Sequence, residues 1–224
     1  MTARAPAADT RIIVFARAPE PGAAKTRLIA LLGAERAAAL QLILIERALA
    51  TALAAGIGPV ELWCTPSAQH PLLVGCAERY GIAAASQVDG DLGTRMLHAA
   101  LTALAVTPRV LIIGSDCPAL NAGDLQRAAA ALANHHDAVL IPAEDGGYVL
   151  IGLKWWDARL FADIAWGTDQ VLAATRERLT VLNWRWLELA SSWDVDRPAD
   201  FERLAASGLI PDLESAIAAR CRIG

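Results

Sequence analysis

Lysine is nearly absent from this chain. Of twenty cationic residues only Lys25 and Lys154 are lysine, so a lysine kept in such a background points to a compact, mobile point charge. Cysteine is sparse and unpaired in pattern. Cys64, Cys76, Cys117 and Cys221 show no C-x-x-C spacing, which excludes a thiolate metal knuckle and a disulfide scaffold, and they read as reduced thiols of a cytoplasmic protein. His70, His98, His135 and His136 form no metal-ligand pattern. An excess of positive charge is missing too: a net charge of −4 and a pI near 5.6 exclude general nucleic-acid affinity. Hydrophobic residues make up 55% and mean hydropathy is +0.36. Even so, the apolar run Ala37–Leu44 is broken at Ile45-Glu46-Arg47, so no membrane span is expected. The first ten residues lack the apolar block of a signal peptide, and residues 1–10 read as a short disordered lead. No internal repeat divides the remainder, so 11–224 is expected to form a single domain with a full core.

What is present begins with Arg109–Leu120. Val110 to Ile113 are four consecutive branched aliphatics, the pattern of a strand buried on both faces in a parallel sheet. The run stops at Gly114-Ser115-Asp116, and Pro118 keeps it from continuing. Ligands of open α/β sheets sit beyond the carboxyl ends of strands. Asp116 therefore projects from a rigid strand end into the place where a ligand is expected, and a carboxylate there suits Mg²⁺ or Mn²⁺.

Strands alternate with helices along the chain, which predicts a three-layer α/β fold with a mostly parallel central sheet. Strands are expected over 11–17, 60–64, 82–88, 137–142, 148–151 and 181–187. Helices are expected over 34–55, 71–80, 91–106, 122–134, 199–207 and 211–222, with a further one over 169–179 capped by Thr168. The first loop concentrates Arg17, Lys25 and Arg27 around Pro19, Pro21 and Gly22 at the end of the first strand, a geometry for holding a pyrophosphate. That loop matches neither the Walker A nor the G-x-G-x-x-G pattern. Asp91, Gly93 and Arg95 form a second candidate phosphate contact at a helix start, although capping explains Gly93-Thr94 equally well. Asp145-Gly146-Gly147-Tyr148 follows a buried strand on the same presumed edge as Asp116, and an ordinary hairpin turn is the plain alternative. Asp194-Val195-Asp196 is read as presenting at most one carboxylate to the cleft. Six of seven tryptophans fall after residue 154, which suggests an aromatic-rich lobe over an acceptor.

These pieces together resemble a known family. Phe15-Ala16-Arg17-Ala18-Pro19-Glu20-Pro21-Gly22, Lys25-Thr26-Arg27-Leu28, Gly90–Met96, Gly114–Leu120, Asp145-Gly146-Gly147-Tyr148, Trp166–Asp169 and Asp194–Asp196 are similar to motifs of bacterial GT-A-fold transferases. The members in question are known as radical-SAM-associated or arsenosugar-biosynthesis glycosyltransferases, and the likeness spans residues 11 to about 205. The order of motifs is also similar to 2-phospholactate guanylyltransferase and molybdenum cofactor guanylyltransferase. The resemblance implies a nucleotide-diphospho-sugar transferase fold and a metal-dependent glycosyltransferase that uses a nucleotide sugar and a small-molecule acceptor. The alternatives are a guanylyltransferase-like nucleotidyltransferase that uses a nucleoside triphosphate and a small phosphorylated acceptor, and a non-catalytic nucleotide-binding protein. Asp116 and Asp145 would then be catalytic, Asp116 and Asp194 would hold Mg²⁺ or Mn²⁺, and Gly146, Gly147, Tyr148, Thr168 and Asp169 would face the acceptor. The sequence departs from such glycosyltransferases in lacking Asp-x-Asp around Asp116. It departs from the nucleotidyltransferases in replacing their glycine-rich first loop with Pro19-Glu20-Pro21-Gly22.

Overall fold

The computed structural model describes residues 9–221. In chain order its elements are β1 (Thr10–Arg17), α1 (Ile29–Leu32), α2 (Ala34–Ala55), β2 (Val60–Thr65), α3 (Pro71–Tyr80), β3 (Ala83–Ser86), α4 (Leu92–Leu104) and β4 (Arg109–Gly114). The second half adds α5 (Ala122–Ala133), β5 (Ala138–Pro142), β6 (Tyr148–Leu153), α6 (Val171–Val181), β7 (Trp186–Glu188), α7 (Pro198–Ser207) and α8 (Leu213–Arg220). The strands form one sheet in the order β3-β2-β1-β4-β6-β5-β7, and only β6 runs antiparallel to its neighbours. The three-layer, mostly parallel α/β fold expected from the alternation is the fold found.

Both faces of the sheet are covered, which is why its strands read as continuous apolar runs and not as alternating ones. Ile12, Val14, Leu62, Leu111 and Ile113 pack toward α2, α3 and α5; Ile13, Val110, Ile112, Leu140 and Ile151 pack toward α4 and α6. Each such buried side chain contributes about 1.5–3 kcal/mol relative to exposure. A third apolar cluster joins Leu40 and Leu44 of α2 to Trp193, Val195, Phe201, Leu204 and Ile217, and so fastens the 193–195 segment and α7–α8 to the main body.

This topology places the site. Moving outward from β1, one branch of the sheet runs to β2 and β3 and the other to β4, so the order reverses between β1 and β4. The crevice beyond the carboxyl ends at such a reversal is where open α/β sheets take ligands. Arg17 ends β1 and Asp116 follows β4 on that edge. Asp145 follows β5 there, and Tyr148 opens β6.

Several expectations need correction. Thr10 is already in β1 and only 2% exposed, so a disordered lead does not extend to residue 10; its residues 1–8 lie outside the described ones. The third strand shrinks to Ala83–Ser86. Val181 ends α6 instead of opening a strand, and the late strand is only Trp186–Glu188. Thr168 does not cap α6. Its hydroxyl donates to the Ala165 carbonyl and accepts from the Gln170 amide, closing a turn ahead of a helix that starts at Val171. The last helix starts at Leu213, after Asp212 takes a left-handed conformation. Finally, α2 is long and apolar enough by composition to cross a membrane, contrary to the reading from its charges. Because 72% of its apolar window is buried within the fold, α2 serves here as a core helix.

Candidate functional site

Asp116 is fixed from two sides. Lys25 Nζ lies 2.8 Å from Asp116 Oδ2 and also donates to the Val195 carbonyl at 2.7 Å. Ser115 Oγ donates to Asp116 Oδ1 at 3.1 Å and accepts from Gln41 Nε2 at 3.2 Å. The Lys25 side chain is only 3% exposed whereas that of Asp116 is 42% exposed. The carboxylate thus faces the cleft while its counter-ion is sealed behind it. Lys25 adopts the left-handed region, φ 48° and ψ 45°, costly for a residue with a side chain, and these contacts hold it there. The Val195 amide donates to the Asp116 carbonyl at 2.9 Å. One lysine therefore joins the first loop, the end of β4 and the 194–196 segment, which come from distant parts of the chain.

On the β1 side of Asp116 lies a cavity of about 490 Å³ lined by Arg17, Lys25, Arg27 and Arg95 together with Gln41, Thr65 and Gln87. Arg27 pairs with Asp196. Arg95 Nη1 donates to Gln87 Oε1 at 3.3 Å, and Gln87 Nε2 donates to the Trp63 carbonyl at 2.8 Å. The four cations read from the sequence as phosphate contacts therefore converge on one cavity. Three other residues of that set do not line it. Gly22 sits in the turn preceding Ala23. Asp91 caps α4, accepting from the Thr94 amide at 2.8 Å and the Thr94 hydroxyl at 2.7 Å, which hold its carboxyl below the ordinary range. Gly93 is buried against Trp166; a Cβ there would lie 2.7 Å from Trp166 Nε1 and 2.8 Å from the Phe161 carbonyl. Gly93 is small so that an indole can pack on α4, not so that a phosphate can approach.

Beyond Asp116, a cavity of about 280 Å³ is lined by Asp116, Asp145 and Asp194 on one side and by Leu92, Tyr148, Val149, Trp166 and Val171 on another, with Gly147 and Thr168 at its border. Asp169 lies further out, in an adjoining cavity lined by Asp145, Thr168 and Asp194 and also by Arg27 and Arg197. Gly146, with φ +90°, lets the chain pass directly against the Asp169 carbonyl, which a side chain would strike. It holds the loop together and lines neither cavity. Asp194 and Asp196 both border the cleft, against the expectation that only one does. Residues two apart in an extended segment share a face, and the fully buried Val195 between them turns both outward. Of the tryptophans, Trp166 and Trp193 border these cavities, while Trp155 and Trp156 are exposed beyond the far end of β6.

Gln41 and Gln87 were not singled out in the sequence. Gln41 had a visible signal, a lone amide within the apolar run of α2, and it is 3% exposed. Gln87 had none.

The donor set can be tested against a divalent ion. Burial, then the negative charges of Asp145 and Asp116, push the Asp194 carboxyl up to about 6, and Lys25 offsets this only in part. Among the described residues no group of three His, Cys, Asp or Glu side chains forms a ready-made metal cage. Mg²⁺, however, is usually held by one or two carboxylates plus substrate phosphates and water. An oxygen-only pair, in which Asp116 is matched by Lys25 and Asp194 has no ion-pair partner among the described residues, fits that mode beside a cation-lined cavity.

Over residues 48–168 the chain matches the family described as "Uncharacterized protein conserved in bacteria (DUF2064)". The chain belongs to that family. A crystal structure of a candidate nucleotide-diphospho-sugar transferase from Desulfovibrio desulfuricans G20 is 30% identical, with a TM-score of 0.83, covering 96% of this chain and 97% of that one. A cytidylyltransferase from Leptospira borgpetersenii is 13% identical, with a TM-score of 0.61, covering 96% and 93%. Glucosyl-3-phosphoglycerate synthase from Mycobacterium tuberculosis, solved with Mn²⁺, UDP and glucosyl-3-phosphoglycerate, is 11% identical, with a TM-score of 0.56, covering 96% and 82%. The DUF2064 chain thus has the fold of nucleotide-diphospho-sugar and nucleotidyl transferases. No curated protein matches it.

Proposed function

We propose that this chain is a single-domain, metal-dependent glycosyltransferase that moves a sugar from a nucleotide sugar to a small acceptor. One observation carries the reading: two cavities of opposite chemistry meet at Asp116, one lined by Arg17, Lys25, Arg27 and Arg95, the other by carboxylates and apolar side chains. The 30% identical relative named for nucleotide-diphospho-sugar transfer supports it.

Arg17, Arg27 and Arg95 bind the donor's diphosphate through charge-assisted hydrogen bonds. Lys25 holds Asp116 in its orientation. Asp116 and Asp194 would hold a Mg²⁺ or Mn²⁺ ion, and the complex of a fold relative with Mn²⁺ and UDP supports that choice. When bound, such an ion neutralises charge developing on the departing diphosphate. Asp145 faces the acceptor cavity and accepts the proton of the attacking hydroxyl. Gly147, Tyr148 and Thr168 border the acceptor, with Asp169 further out.

The test is the identity of the released product when nucleotide sugars and nucleoside triphosphates are offered with Mg²⁺ or Mn²⁺. Nucleoside diphosphate is expected. Release of pyrophosphate overturns the reading in favour of nucleotidyl transfer.

A further inference from the structure

The acceptor cavity can be read atom by atom for what it offers a ligand. Three of its lining side chains are the carboxylates of Asp116, Asp145 and Asp194, which when ionised only accept hydrogen bonds, and the Tyr148 hydroxyl turns to Met96 Sδ at 3.8 Å. Two donors nearby are already spent, and the unpartnered indole N–H of Trp166 is buried away from the open space. The Thr168 hydroxyl donates to the Ala165 carbonyl at 2.7 Å, and the Gly147 amide donates to Asp145 Oδ1 at 2.9 Å. Cys117 Sγ is engaged with Ser192 Oγ at 3.1 Å. No Lys, Arg or His of the described residues lines the cavity, while four cations line its neighbour. Leu92, Val149, Val171 and the rings of Tyr148 and Trp166 supply an apolar part of the lining.

A ligand must therefore bring its own donors, O–H or N–H, on one side and an apolar C–H face on the other. A phosphomonoester brings only acceptors and negative charge. Placed here it would be left unpaired among carboxylates, and a bound divalent ion would already be shared with the donor's diphosphate.

We infer that the acceptor is a hydroxyl-bearing ring compound, neutral or cationic, and that phosphorylated acceptors are excluded. This rests on the glycosyltransferase reading of the cleft. The two-cavity geometry makes the restriction a property of the acceptor side alone, since phosphate groups are welcome on the other side of Asp116.

The test uses the whole protein saturated with Mg²⁺ and whichever of UDP, GDP, CDP or ADP raises its melting temperature most. Glucosamine, glucose and glucose 6-phosphate are then titrated calorimetrically as small probes. Glucosamine is expected to bind at least about tenfold more tightly than glucose 6-phosphate. The combined Asp145→Asn and Asp194→Asn change should shrink that ratio toward one. Glucose 6-phosphate binding as tightly as glucosamine overturns the inference and leaves the transferase reading standing. Failure of every nucleotide to shift the melting temperature overturns the transferase reading and this inference with it. Where the double variant unfolds, Asp145→Asn alone carries the comparison.

Discussion

The two sides of Asp116 differ in how their charges are used. On the β1 side, Arg27 is 60% exposed in its side chain and pairs at the surface with Asp196, so it is available to a ligand. On the β5 side, burial and then the neighbouring carboxylates of Asp145 and Asp116 push Asp194 up to about 6. Between them lies Asp116, open to the cleft with the sealed Lys25 behind it, a pair that belongs to the architecture as much as to the chemistry. Charged residues of the same cleft should therefore respond to mutation in opposite ways: some lose stability, others lose only binding.

The largest effect is expected at the junction. Asp116→Ala leaves the buried Lys25 ammonium without its carboxylate, and because the Asp116 side chain is 42% exposed the cost should lie at or below the lower end of the about 3–5 kcal/mol of a fully buried pair. Chemical denaturation should show that loss, with part of it recovered in the Asp116→Ala, Lys25→Met double variant. Lys25→Ala is expected to destabilise the fold as well, since its side chain is only 3% exposed.

Next comes the acceptor side. Gly146→Ala combines a left-handed backbone with a collision against the Asp169 carbonyl, for a cost of about 1–3 kcal/mol. Thermal melting measures it, and an unchanged melting temperature would show that the 145–147 and 169 loops are not held together as described.

The β1 side should lose binding and little else. Arg27→Ala is expected to weaken nucleoside diphosphate binding by about 1.5–3 kcal/mol through a lost charged hydrogen bond. Because its pair with Asp196 is exposed, folding stability should move by less than about 1 kcal/mol.

The smallest effect is a pH dependence. Asp194 holds its proton more tightly in the folded protein than an ordinary aspartate does, so the folded state binds more protons between about pH 4 and pH 6. Its contribution to stability is therefore greatest at low pH and falls as pH rises through 6. Melting in EDTA at about pH 4.5 and pH 7 should show this component in the wild type and its loss in Asp194→Asn.

Much of the frame was legible in the sequence. The ends of α2 at Ala55 and α3 at Tyr80 are marked by Gly56 and Gly81, both left-handed, and β4 and β5 are apolar runs stopped by Gly114 and Pro142. Asp116 could be placed because a strand end needs no knowledge of distant residues. The rest depends on contacts remote in sequence. Lys25 finds Val195, 170 residues away, and the indole against Gly93 comes from residue 166. Local pattern records a glycine or a cation but not what meets it, which is why Asp91, Gly93 and Gly146 read as ligand contacts and turned out to hold the chain to itself.

The most direct test of the opposed cavities is a paired calorimetric titration of nucleoside diphosphate with Mg²⁺ into wild type, Arg27→Ala and Asp145→Asn. The account predicts a weakening of about tenfold or more for Arg27→Ala and near-wild-type affinity for Asp145→Asn. Equal loss in both variants, or loss only in Asp145→Asn, would place the nucleotide on the carboxylate side and contradict it.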